Sequence, residues 1–88
     1  VVSFPLPDEE MRRKIFEKVL GKMDARVDPG VLAERTEGYS GSDIRLVVRE
    51  AVLNALLVDR RSIDQEDMLR AITEFDRRIA DHRGTAAP

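Results

Sequence analysis

The sequence predicts an all-α fold, a small bundle of four helices in an 88-residue chain. Three observations carry this. Apolar residues recur at helical spacing, not in alternation, in three long segments. Helix-starting residues stand ahead of each apolar run. Aromatic residues are only 5% of the chain and Trp is absent, which suits a Leu, Ile, Val, Met and Ala core on helices better than a β-sandwich. The helices are expected at about 8–22, 29–36, 41–58 and 65–80. Short connections then make neighbours in sequence neighbours in space.

Residues 1–7 read Val-Val-Ser-Phe-Pro-Leu-Pro. Pro5 and Pro7 push Phe4 and Leu6 towards extended backbone, so this stretch reads as a linker from a preceding domain. The chain opens on Val1 without a start Met and reads as a fragment. Asp8, Glu9 and Glu10 place negative charge at the positive end of the first helix. Its expected apolar stripe is Met11, Ile15 and Val19, with Phe16, Leu20 and Met23 beside it. Asp28 can cap the short second helix and Pro29 suits its first position, with a plain turn at Asp28-Pro29-Gly30 as the alternative start, and Gly38 is a stop.

The third helix has the clearest start. Ser40 is the N-cap and Asp43 stands three residues on, a capping box with Asp in place of Glu. Tyr39 can pack on Ile44 as a hydrophobic staple. Ile44, Val47, Val48, Ala51, Ala55 and Val58 form one stripe, and Leu46, Val52, Leu53, Leu56 and Leu57 widen it almost all round. Such a helix is expected to be central and buried on most sides. Asp64 caps the fourth helix, with Ile63 stapled on Met68 and a buried stripe of Met68, Ile72, Phe75 and Ile79. Residues 81–88 are expected to be a flexible tail. The helical domain proper is then 8–80.

Composition narrows the function classes. Fifteen basic and 17 acidic side chains leave a net charge of −2, with no basic excess to suit nucleic acid. Hydrophobic residues at 42% and charged residues at 36% fit a soluble folded domain better than disorder. The absence of Cys excludes disulfides and thiolate metal sites, and a single His, His82, cannot build a His-rich one. No apolar run approaches the ~20 residues of a membrane span and no signal peptide is visible, so a cytoplasmic location is expected.

Catalytic motifs are missing. Nothing matches the phosphate loop Gly-x4-Gly-Lys-Ser/Thr, HExxH, CxxC or Gly-x-Ser-x-Gly. Ser40, Asp43 and His82 could be drawn as a triad, but capping already accounts for Ser40 and Asp43. The expectation is therefore no catalytic residue and no metal ligand. The pairs Arg12-Arg13, Arg60-Arg61 and Arg77-Arg78 read as solvated faces, with contact to an adjacent large domain as the alternative.

One segment carries more information than the rest. Gly38-Tyr39-Ser40-Gly41-Ser42-Asp43-Ile44 is small, Gly-rich and opens a helix. Its free backbone N–H groups let another group approach, a nucleotide ring or phosphate above all. A plain capped helix after a tight turn is the simpler reading.

The same segment resembles the Gly-x-Ser-Gly-Ala-Asp-Leu/Ile motif that opens the third lid helix of AAA-type ATPases. Phe4-Pro5-Leu6-Pro7-Asp8-Glu9-Glu10, with Arg12 and Ile15-Phe16, is similar to the segment that leads into that lid. Glu50-Ala51 and Ile63-Asp64-Gln65-Glu66-Asp67-Met68, with Ala71-Ile72, resemble the rest of it. The resemblance covers about residues 3–80 in the right order. Within the family it touches proteasomal ATPases, segregases, membrane AAA proteases and microtubule-severing enzymes alike.

The resemblance implies a role. In such proteins ATP, with its Mg²⁺, sits between a large ATPase domain and this lid, and the catalytic groups belong to the large domain. The lid covers the adenine side, touches the neighbouring subunit of a homo-hexamer and transmits work to a protein substrate. By position, Gly41 and Ser42 would face the adenine, with Ile15 and Val19 near the base. Val19 stands where the family often has His, and Ser42 where it usually has Ala. Arg45 and Arg49 follow the motif and are expected to be solvated or intersubunit arginines. Alone, the chain is not expected to hydrolyse ATP or to bind it better than about millimolar. The competing reading is a stand-alone helical interaction domain without nucleotide, which should expose an apolar patch.

Overall fold

The computed structural model describes residues 6–21, 23 and 25–86, and side chains as far as Ala80. Four helices and two very short strands follow in the order α1 (Glu9–Leu20), β1 (Ala25–Arg26), α2 (Pro29–Arg35), α3 (Gly41–Leu57), β2 (Ile63–Asp64) and α4 (Gln65–Ala86). The expected four-helix architecture is thus present, with one strand pair added.

Caps set the helix starts. Asp8 Oδ1 accepts the Met11 N–H at 2.9 Å ahead of α1, and Asp28 Oδ1 accepts that of Gly30 at 2.9 Å ahead of α2. At α3, Ser40 Oγ accepts the Asp43 N–H at 3.1 Å while the Ser40 N–H donates to Asp43 Oδ2 at 3.0 Å. Asp64 and Asp67 exchange the equivalent pair at 3.0 Å each ahead of α4. Each box satisfies N–H groups that a helix start otherwise leaves unpartnered. Gly38 stops the turn after α2 with φ 87°, in the left-handed region that glycine tolerates.

The core lies where α1 and α4 meet the inner face of α3, with α2 packed against α1 and the edge of α4. Phe16, Leu32, Ile44, Val47, Val48, Met68, Ile72 and Phe75 form its centre. Ile63 and Met68 are both buried, as a staple across the α4 start requires. β1 and β2 pair in parallel, Ala25 with Ile63 and Arg26 with Asp64, and so tie the α1–α2 link to the α3–α4 link. Two-residue strands have no periodicity for a sequence to display.

Several expectations need correction. Met11 is half exposed, while Arg12 is only 5% exposed and stands in the buried stripe of α1 with Phe16 and Leu20. The Arg12-Arg13 pair is therefore not a solvated face, although Arg13 is exposed and bonds Glu17 at 2.7 Å. α1 ends at Leu20, and residue 22 lies outside the described residues. α3 is not buried almost all round: Leu46, Leu53, Leu56, Leu57 and Val58 are exposed. Its buried residues, Ile44, Val47, Val48, Ala51 and Ala55, fall at helical spacing on a single face, and a domain this small has little mass to cover the other. α4 runs on to Ala86, so the backbone from 81 to 86 is helical. No Pro interrupts that stretch before residue 88, and a helix carries on where nothing stops it. Residues 1–5 of the expected 1–7 linker, the side chain of His82 and residues 87–88 lie outside the described residues.

Candidate functional site

The site is built from the start of α3 and the flank of α1. The Ser40–Asp43 box fixes the first turn of α3 and uses the Asp43 N–H. The N–H groups of Gly41 and Ser42, ahead of it, are those a helix start directs outward. Ser42 is exposed and Gly41 half-buried. A Cβ placed on Gly41 meets no atom within 4 Å, and the residue is not left-handed. Nothing among the described residues therefore requires glycine at position 41.

One turn apart on α1, Ile15 and Val19 rest partly on the core. Their outer sides join Lys18 and Arg45 in an open cleft of ≈ 460 Å³. A second open cleft of ≈ 270 Å³ is lined by Ser42, Arg45, Leu46 and Arg49. Arg45 belongs to both. Two of the four residues assigned to nucleotide, Ile15 and Val19, thus share one hollow, and Ser42 borders the adjoining one. Gly41 directly precedes Ser42 and lines neither. The combined surface is apolar on the α1 side and basic on the α3 side. Among the described residues, Lys18, Arg45 and Arg49 enter no ion pair.

The turn leading to this site is held by Tyr39. Its ring lies 4.9 Å from that of Phe75, tilted by 46°. Its hydroxyl donates to Asp76 at 2.6 Å. Burial first, and then the Asp76 carboxylate, push the hydroxyl far above its ordinary value. Sequence reasoning assigned Tyr39 only to a staple on Ile44. Its tie to α4 spans 37 positions and leaves no local signal.

Asp64, expected only as a cap, also receives Arg60 at 3.8 Å. Arg60 pairs with Asp67 as well. Burial raises Asp67, but the Asp64 N–H and then Arg60 outweigh it and hold the carboxyl below its ordinary value. Arg78 pairs with Glu50 across α3 and α4. No cluster of His, Cys, Asp or Glu able to hold a metal occurs among the described residues. No helix among them is long and apolar enough to cross a membrane.

Comparison with known proteins matches residues 26–70, just over half of the chain, to the family model of the AAA+ lid domain. The proteasome-activating nucleotidase of Pyrococcus furiosus is 40% identical over 73 residues, which is 82% of this chain and 18% of that protein. The proteasome-activating nucleotidase of Methanopyrus kandleri is also 40% identical over 73 residues, covering 81% and 17%. That of Sulfurisphaera tokodaii is 36% identical over 77 residues, covering 85% and 20%. The chain spans about a fifth of the length of these curated relatives. A matching family model, four helices in the expected order and a capped Gly-Ser turn agree, and the chain belongs to the AAA+ lid domain family, the C-terminal helical lid of AAA+ ATPases.

Proposed function

We propose that this lid closes over the adenine side of an ATP held, with its Mg²⁺, by a large ATPase domain of the same chain. Gly41 and Ser42 approach the base, and Ile15 and Val19 give it an apolar wall. The observation that carries this is the open space at Gly41. Glycine in a helix costs up to about 1 kcal/mol relative to alanine, and packing among the described residues does not call for it. A group outside the chain that needs close approach accounts for it.

In this reading the lid moves with nucleotide state and passes that movement to a neighbouring subunit of a cytoplasmic homo-hexamer, and so to a protein substrate under unfolding. The exposed leucines of α3 supply apolar surface for such a neighbour. The relatives' name, proteasome-activating nucleotidase, supports the nucleotide and the protein-degradation setting. Hydrolysis belongs to the large domain, since the lid offers no group to position phosphate, metal or water. By itself half a crevice binds ATP no better than about millimolar.

A second reading has an observation in its favour. A stand-alone interaction domain should expose an apolar patch, and Leu46, Leu53, Leu56 and Leu57 are exposed on one helix. ATP turnover separates the two. In the protein carrying both large domain and lid, Gly41→Trp should abolish turnover or ATP affinity while circular dichroism keeps the helical signal. Wild-type turnover in that variant would reduce the turn to a helix cap.

A further inference from the structure

Among the described residues, Arg12 is a buried cation without a carboxylate partner. It is 5% exposed, and the partners its three nitrogens find there are backbone carbonyls. Nε and Nη2 bond Ala33 O at 3.1 and 3.0 Å, and Nη1 bonds Pro7 O at 2.9 Å. Ala33 lies in the last turn of α2, where carbonyls lack partners within their own helix and carry partial negative charge. Pro7 is the last residue before the α1 cap.

Stability alone gives no reason for such a group. Taking a cation out of water is costly, and an apolar side chain of similar volume often serves as well or better. What a guanidinium adds is direction. Its rigid planar fork fixes two acceptors relative to each other, which neither lysine nor an apolar side chain does. Here those acceptors are the segment leading into the lid and the lid body itself.

We infer that Arg12 is a clasp that sets the angle at which the preceding chain enters the lid, and so is a positioning residue for the cleft at Ile15 and Val19. Those two residues lie on the same helix as Arg12, one and two turns on. A change in the angle of the leading segment is therefore a change in where their wall stands relative to any preceding domain. The inference rests on the proposed lid function only for its consequence in catalysis. The clasp itself is a property of this chain.

The chain has no cysteine, so two introduced ones can carry unique spin labels. Leu6→Cys reports the leading segment and Glu74→Cys the exposed side of α4. Pulsed electron resonance should give a narrow distance distribution with Arg12 present. Arg12→Met fills the space and leaves Ala33 O with the Thr36 N–H at 3.4 Å and hydroxyl at 3.3 Å. It should broaden and shift that distribution while circular dichroism is unchanged. Arg12→Lys guards against misfolding of Arg12→Met. It keeps the charge, reaches the carbonyls without the fork and should broaden the distribution too. An unchanged distribution in both folded variants overturns the clasp, whatever happens to the melting temperature. In the full-length protein both variants should lower kcat/KM for ATP by about 10- to 100-fold, the cost of a misplaced wall. Broadened distances with unaltered ATP kinetics would uphold the clasp and remove the lid reading beneath it.

Discussion

Gly41 and Gly38 offer a paired test of what each glycine is for. Gly38 has φ 87°, and a side chain there is strained however much room it has. Left-handed backbone costs a residue with a Cβ about 1–2 kcal/mol. Gly41 is neither left-handed nor crowded, with no atom within 4 Å of a built Cβ. Replacing it by alanine restricts the unfolded chain and improves helix propensity, together about 0.4–1 kcal/mol. Position 41 is the first of α3, where propensity counts for less than in mid-helix, so about 0.5 kcal/mol is the expected gain. For a domain of this size that raises the melting temperature by about 2–4 °C, and Gly38→Ala lowers it by at least about 4 °C. Thermal unfolding followed by circular dichroism measures both. If the lid closes over ATP as proposed, the same Gly41→Ala in the full-length protein should weaken ATP binding, because its Cβ would enter the open space that the base approaches. A Gly41→Ala chain less stable than wild type would show that the fold requires this glycine. A variant that is more stable and binds ATP normally would show that nothing outside approaches it.

Four further variants test the packing and the titrating groups. Tyr39→Phe loses the 2.6 Å bond to Asp76 and should cost about 1 kcal/mol, since Asp76 can turn to water. Tyr39 is held protonated in the fold but ionises above its ordinary 10.0 when unfolded. Its contribution is therefore full below about pH 10 and is lost as pH rises, an alkaline limb in urea titrations that the phenylalanine variant should lack. Asp67 behaves oppositely. Its lowered folded-state value contributes stability above the ordinary carboxylate range, lost as pH falls through that value, so Asp67→Asn should flatten the acid limb below about pH 4. Phe16→Ala, at a fully buried site, should cost about 3–5 kcal/mol and leave so small a domain largely unfolded. Leu57→Ser, at a residue 83% exposed, should stay within about 0.5 kcal/mol of wild type. A large loss there would mean that α3's outer face is core after all.

The sequence by itself determined the class of fold, the helix starts and the family. Caps and stops act within three or four residues, so Asp28, Ser40 and Asp64 are legible without knowing what the helices pack against. The Gly-Ser turn was legible for the same reason. The tertiary structure alone decided what faces what. Apolar character says that a residue prefers burial and not that a partner exists, so α3 looked enclosed and proved to be covered on one side only. Arg12 looked like half of a solvated pair because charge usually seeks water. Only the approach of Ala33, 21 positions away, and of the Pro7 carbonyl could reveal acceptors able to hold it inside. The strand pair and the Tyr39–Asp76 tie were unreadable on the same ground. Both join residues more than 30 positions apart, and such contacts exist only once the helices between them have packed.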